Sequence, residues 1–384
     1  MPGARRETTG PPTPVSTLAP GRPPSLDGRV AATVHRCLAD YLADRRRAAE
    51  AADPVFAAEV VDRLERFTLD GGKRMRPMFA WWGWRAAGGP DRGDAAEAAL
   101  RAASALELIQ ACALIHDDVM DGSALRRGRP AVHVAFADEH RDRGWHGAPD
   151  RYGHSLAVLA GDLALVWADD MLDAAGLGAA ARARARAPWW AMRMEMMAGQ
   201  FLDVRASAAA DASECTALRV DRLKTAAYSV ERPLHFGAAL AGGDDRLVRA
   251  LRGYGADVGT AFQLRDDLLG VFGDPAVTGK PVGDDLREGK RTLLLAVGVR
   301  RAREQGDAAA GELLRSAVGD PGLSGGGAEA VRAALDRLGA RAEVEERLHG
   351  LLRQGLRRID AAPMPAEARA ALRDLALRAT ERDS

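Results

Sequence analysis

From residue 26 onward, apolar positions recur at three- and four-residue spacing, and that rhythm predicts one helix after another. Val30, Val34, Cys37, Leu38 and Tyr41 mark a first stripe, and Val60, Leu64 and Phe67 a second. They part at Asp53-Pro54, where a proline suits the first turn of a new helix. After Gly71 and Gly72, Pro77 is placed to open a helix through Met78, Phe79, Trp81 and Trp82. Residues 86–93 read as a Gly/Pro loop, and residues 94–121 as a helix that is apolar or small for most of its length. Residues 138–151 look charged and irregular, whereas 156–177, 189–204, 213–240 and 249–272 are helical again. Residues 274–292 form a stretch rich in glycine and charge, read as a mobile loop able to close over a charged ligand. Amphipathic helix then runs to about residue 382, with a Gly/Ser break at 319–327. No segment alternates as a half-buried strand does, so the expected fold class is all-α.

Composition narrows the picture. The chain has 384 residues, enough for one large domain or two ordinary ones, and 47% of them are hydrophobic. The formal charge is zero, which argues against a nucleic-acid partner or an anionic membrane surface. Cys37, Cys112 and Cys215 are scattered and odd in number, which suits a reducing, cytoplasmic location. There is no signal-peptide pattern, and no transmembrane segment is expected: the best apolar run, residues 156–166, is interrupted by Asp162. Residues 1–25 hold seven prolines and read as a disordered tail ahead of a single domain over 26–384.

Charge on the helix ends supplies the chemistry. The apolar run that ends at Ile115-His116 meets Asp117, Asp118 and Asp121 within five positions. On a helix Asp117 and Asp121 share a face, one turn apart. A solvated helix end is the plain explanation; the alternative is a Mg²⁺ site, because hard carboxylate oxygens suit that ion and it shares its shell with phosphates. A second apolar helix ends in Asp266-Asp267, and Asp203 closes an apolar face. Lys73, Arg74 and Arg76 crowd a helix N-terminus, where a bound anion would offset their repulsion with the dipole; a basic turn facing water is the alternative. Arg126, Arg127 and Arg129 follow the first aspartates, either to neutralise them or to grip a phosphate. Only four lysines occur, Lys73, Lys224, Lys280 and Lys290, among 54 basic residues. They stand where a compact, rotatable charge suits a phosphate. A structural pair of Lys224 with Asp221 is an equal alternative there. Met192, Met194, Met196 and Met197 read as core filler. Together these groups suit a substrate with a polyanionic head and a long apolar tail, such as the diphosphate ester of a hydrocarbon.

The ordered motifs GGKRMRP, DDVMD with RRGRP, GQFLD, KT, FQLRDD and GKPVGDDLREGK resemble those of the trans-isoprenyl diphosphate synthases of the polyprenyl synthetase family, across residues 30–370. The resemblance implies a bundle of about ten to thirteen helices around a central cavity, and a homodimer. It implies Mg²⁺-dependent head-to-tail condensation of isopentenyl diphosphate with an allylic diphosphate, using about three Mg²⁺ ions. Asp117, Asp121 and Asp266 would be metal ligands, with Asp118 and Asp267 beside them and Asp203 near the third metal. Arg126, Lys224, Thr225, Gln263, Lys280 and Lys290 would serve the allylic diphosphate. Lys73, Arg76, Gln110 and Arg127 would serve isopentenyl diphosphate. The second motif departs from the family pattern, since Gly270 replaces its usual last aspartate; Asp274 is the nearest downstream carboxylate, in a different register.

In the family, aromatic residues at the fourth and fifth positions before the first aspartate stop the product at C15. Here those positions are Ala113 and Cys112, both small, and Ile109 lies a turn deeper. One helical turn rises about 5.4 Å, close to an extended isoprene unit. Geranylgeranyl diphosphate (C20) is therefore the expected product, with farnesyl or C25 and longer products as alternatives. A class I terpene cyclase would lack GGKRMRP and the second aspartate pair. A non-catalytic modulating subunit would lose the first motif or the basic residues, and both are present.

Overall fold

The computed structural model describes residues 25–273 and 283–380. The Pro-rich tail expected over 1–25, except Ser25, lies outside them, as do Asp274 and Lys280. Helix α1 (Val30–Ala52) ends at Asp53, whose side chain accepts a hydrogen bond from Phe56 N and so caps α2, residues 54–69, with Pro54 in its first turn. Helix α3 (Met75–Ala86) starts two residues earlier than Pro77 alone would suggest, after Arg74 in the left-handed region at φ 51°. Helix α4 (Asp94–Asp121) runs the full expected length and stops at Gly122, at φ 66°. Leu100, Leu106, Leu108, Ile109 and Ile115 are completely buried along it, each contributing about 2 kcal/mol by leaving water. By length and composition α4, rather than residues 156–166, is the helix that could cross a membrane, but 78% of its apolar window is buried within the fold.

The turn after α4 is a small antiparallel ribbon, β1 (Leu125–Arg126) against β2 (Arg129–Pro130), where no strand was expected. Two residues per strand are too few to show alternation. Helix α5 (Val132–Asp142) takes in part of the segment read as irregular, because His133, Phe136, Ala137 and His140 form a buried stripe among its charges. Helix α6 (Pro149–Asp173) packs on α4 through small residues on both sides, including Ala157, Ala160, Gly161 and Ala164. Helix α7 (Ala179–Ala208) buries Met192 and Met196 but exposes Met194 and Met197, so only half of the methionine run is core.

Helix α8 (residues 214–241) contains a π-helical stretch at Asp221–Glu231, and α9 (Asp245–Phe272) packs along it. A single turn, α10 (Asp284–Arg287), precedes α11 (Leu293–Glu304), α12 (Ala308–Ala317), α13 (Gly325–Arg337), α14 (Ala340–Asp360) and α15 (Ala366–Thr380). Among the described residues the helices outnumber the ten to thirteen implied by the resemblance, because left-handed glycines at 306, 319 and 339 divide the C-terminal third into short pieces. Three buried apolar clusters form the interior. Helix α8 contributes to all three and α9 to two of them, and so they tie the clusters together.

Candidate active site

The first carboxylate group lies at the C-terminal end of α4, where the helix dipole adds to the repulsion among its charges. The fold answers with cations from elsewhere. Lys224 Nζ on α8 lies 2.9 Å from Asp117 Oδ1 and 2.6 Å from Asp203 Oδ2 on α7. Its pairing with Asp221, an open alternative from sequence, does not form. Gly199 permits this contact: a Cβ there would overlap the backbone of Lys224, so only glycine lets α7 come so close to α8. Burial acts to lower the Lys224 pKa, but Asp117 and Asp203 outweigh it and hold the ammonium well above its ordinary range. Asp118 is completely buried and bonded by the Arg126 guanidinium, with Nε at 2.9 Å. Arg126 thus neutralises an aspartate, one of the two roles the sequence left open.

Asp121 has less compensation. Burial first, then the Asp117 and Asp203 carboxylates, push it up to about 7. Lys290 stands 4.0 Å from Asp121 Oδ2, and itself pairs with Asp285 at 3.0 Å and Glu288 at 2.8 Å. Ser123 donates to Glu288 at 2.6 Å, which fastens residues 283–290 beside the end of α4.

The second group stands at the end of α9. Gln263 donates to Asp267 Oδ1 at 2.7 Å. Burial pushes Asp267 up to about 7 despite that bond, with Asp285 and Asp266 adding to the rise. Asp266 is half-buried on the same helix end. Asp221, at the start of the π-helical stretch, is held far above the usual carboxylate range by burial and then by Asp267 and Asp203. It belongs to this cluster, and sequence reading missed it. Sequence gives little signal for it, because Arg219, Arg222 and Lys224 surround Asp221 in the same helix. Asp285 and Glu288 were likewise passed over inside a glycine-rich motif.

A basic group lies about two turns back along α4, near Gln110. Arg76 reaches Ser229 Oγ at 2.7 Å and lies 4.3 Å above the Tyr228 ring, and Tyr228 donates to Gln110 Oε1 at 2.7 Å. Lys73 is exposed at the tip of the GGKRMRP turn. Arg127 packs against Gly71, where a Cβ would stand 3.1 Å from its Nη1. Beneath them Arg74, one of the three cations read as an anion site, instead forms a buried ion pair with Glu107 of α4 at 2.7 Å and donates to Leu69 O. That pair anchors the turn to the helix that carries the aspartates.

The donor set fits divalent cations. Buried carboxylate oxygens without a hydrogen-bond partner are costly, and Asp121 Oδ2, Asp221 Oδ2 and Asp267 Oδ2 are three of them. A cation would offset that cost and the mutual repulsion. Among the described residues no three acidic, histidine or cysteine side chains are arranged to hold a metal alone. Mg²⁺ takes one or two carboxylates and completes its shell with phosphate and water.

Residues 58–321 match the family described as "Polyprenyl synthetase". The chain is 35% identical to a geranylfarnesyl diphosphate synthase of Aeropyrum pernix, over 64% of this chain and 74% of that one. It is also 35% identical to a geranylgeranyl diphosphate synthase of Sulfolobus acidocaldarius, over 59% and 62%. Its fold is similar to the crystal structure of a geranylgeranyl pyrophosphate synthase from Corynebacterium glutamicum, complexed with isoprenyl diphosphate and magnesium. The TM-score is 0.86 at 46% identity, covering 91% of this chain and 99% of that one.

Proposed function

The chain belongs to the polyprenyl synthetase family of prenyltransferases, and on that premise we propose that it condenses isopentenyl diphosphate with an allylic diphosphate to give mainly geranylgeranyl diphosphate. The observation that carries this reading is Lys224, buried between Asp117 and Asp203 beside carboxylate oxygens that lack hydrogen-bond partners. Such a cluster has a use for a metal-bound polyanion and none for an apolar ligand alone.

Asp117 and Asp121 on α4 and Asp266 on α9 would hold about three Mg²⁺ ions, with Asp118 and Asp267 supporting them. Bound there, the metal neutralises charge that develops on the departing diphosphate. Lys224, Thr225, Arg126, Gln263 and Lys290 face the same leaving group in this reading; Lys280 would join them from outside the described residues. Lys224 keeps its proton throughout, because two carboxylates hold it. Arg76, Arg127, Lys73 and Gln110 receive the diphosphate of isopentenyl diphosphate, and the Arg74–Glu107 pair fixes their height relative to Asp117. The allylic C–O bond breaks, the isopentenyl double bond attacks the allylic cation, and a proton leaves to the released diphosphate. The aspartates serve as ligands, not as a general acid and base.

The C20 product rests on the residues beneath Asp117. Ala113 and Cys112 leave the first turn low, whereas Ile109 is fully buried with Leu106 and Leu108 below it. Incubation with Mg²⁺, isopentenyl diphosphate and each of dimethylallyl, geranyl and farnesyl diphosphate tests this, with chromatography after phosphatase treatment. Geranylgeraniol is expected as the main alcohol. No consumption of isopentenyl diphosphate overturns the synthase reading, and farnesol or a C25 alcohol overturns only the length.

A homodimer is part of the same proposal. Trp190, Met194, Met197, Phe201 and Val204 stand exposed on α7 at alternating four- and three-residue spacing, the seam by which helices pair. Light scattering of a Met194→Glu, Phe201→Glu variant should show monomer where the parent shows dimer.

A further inference from the structure

The π-helical stretch of α8 runs for 11 residues, whereas such winding is rare and mostly confined to single turns. Contacts from outside the stretch hold it. Gly199 of α7 lies against Lys224, and Gly259 and Gly255 of α9 lie against Ala226 and Glu231; at each glycine a Cβ would overlap the facing backbone. At the end of the stretch Glu231 is almost completely buried and accepts from two arginines. One is Arg222, nine residues back, so this pair straps the winding nearly from end to end. The other is Arg252 of α9, whose Nε donates at 2.9 Å. The next residue, Arg232, donates to Glu195 of α7 at 2.8 Å. Burial acts to raise the Glu231 carboxyl, but Arg222, Arg232 and Arg252 outweigh it and hold it below its ordinary range.

The winding decides which residues share a face. In an α-helix Lys224 and Ser229, five residues apart, would point about 140° away from each other. A π-helix closes its hydrogen bonds over five residues and brings the two toward one face. Lys224 there meets Asp117, while Ser229 accepts from Arg76 at 2.7 Å and leaves Arg76 Nε buried without a partner. One stretch therefore sets the distance between the aspartate cluster and the basic group.

We propose that Glu231 is a positioning residue for isopentenyl diphosphate: through Arg222 and Arg252 it locks the π winding that fixes Ser229, and with it Arg76, relative to Lys224. The inference rests on the diphosphate-synthase reading. Glu231 itself touches neither substrate. Lys224 has its own anchors in Asp117 and Asp203, whereas Ser229 stands two residues from Glu231. Releasing the strap therefore disturbs the isopentenyl side and spares the allylic side.

That split between the two substrates is the test, because a merely structural role would not produce it. Isopentenyl diphosphate KM is measured by steady-state kinetics at saturating Mg²⁺ and farnesyl diphosphate. Allylic binding is measured by calorimetry with Mg²⁺ and farnesyl S-thiolodiphosphate, which does not ionise readily. Glu231→Gln is expected to raise isopentenyl KM by about tenfold or more. Its affinity for the thiolodiphosphate should stay within about threefold of the parent. Arg222→Gln, at a half-exposed position, should shift isopentenyl KM in the same direction, and the double variant should be no worse than Glu231→Gln. If Glu231→Gln does not fold, Arg222→Gln decides by the same two measurements. Unchanged isopentenyl KM overturns the proposal, as does an equal loss for both substrates or a double variant whose effects multiply. A parent that consumes no isopentenyl diphosphate overturns the functional reading, and this proposal with it.

Discussion

The two aspartate-bearing helix ends solve the same electrostatic problem differently. At the end of α4 the carboxylates meet cations: Lys224 overrides burial and holds Asp117 below its ordinary range, and Arg126 covers Asp118. At the end of α9 Asp267 takes its hydrogen bond from an amide, Gln263, and burial with neighbouring carboxylates pushes it up to about 7. The first end meets much of its charge with cations, although Asp121 there is also pushed up to about 7. The lesson is that one motif type, repeated in a chain, need not be poised alike in both places. Positively charged residues decide which copy is ready and which waits for metal.

The largest effect is expected at the shared cation. Lys224→Met leaves Asp117 and Asp203 buried without their ammonium and should lower kcat by about 10²–10³, the loss typical of one preorganised charge. Isopentenyl diphosphate KM should change little, which steady-state kinetics at saturating Mg²⁺ would reveal. A loss of only a few-fold would erase the distinction between the two ends.

A smaller effect is expected from pH. Asp121 and Asp267, each near 7 in the folded protein, bind protons there more tightly than in the unfolded chain. Between their unfolded values and about 7 the native state holds the extra protons, so these groups make the metal-free protein lose stability as pH rises through that window. Melting temperatures from pH 5 to 8 should fall for this reason, and the fall should be shallower in Asp267→Asn. Saturating Mg²⁺ with the thiolodiphosphate should flatten it as well, because metal binding displaces those protons.

Product length is the subtlest readout, and it concerns only the α4 end, since growth beneath Asp117 follows that helix. Replacing Ala113 and Cys112 by Phe should shift the main product from C20 to C15 while leaving first-condensation rates within about threefold. Cys112 is buried beside His116, so some loss of melting temperature accompanies the bulk there. Unchanged product length would remove the role assigned to these positions.

Much of this was legible in the sequence. Helical spacing gave α4 to the residue, because a long apolar run closed by Gly93 and Gly122 has little freedom in its limits. Asp117, Asp121 and Lys224 stood out because charge at the end of an apolar helix, or a lone lysine in an arginine-rich chain, is unusual. What stayed hidden depends on contacts far apart along the chain. Asp221 reads as an ordinary surface acid until α9 is packed against it. Arg74 and Glu107 look like two more charges until burial leaves them only each other. The approach of Asp285 to the backbone of Gly270 is visible only once residues fifteen apart are brought together.

Crystals grown with Mn²⁺ and farnesyl S-thiolodiphosphate, measured at the manganese edge, test most directly whether the two helix ends form one metal–diphosphate site. The expected result is anomalous density between Asp117 and Asp121 and, separately, against Asp266, with the diphosphate bridging the two. Density at neither helix end, or a diphosphate bound away from Lys224, would contradict it.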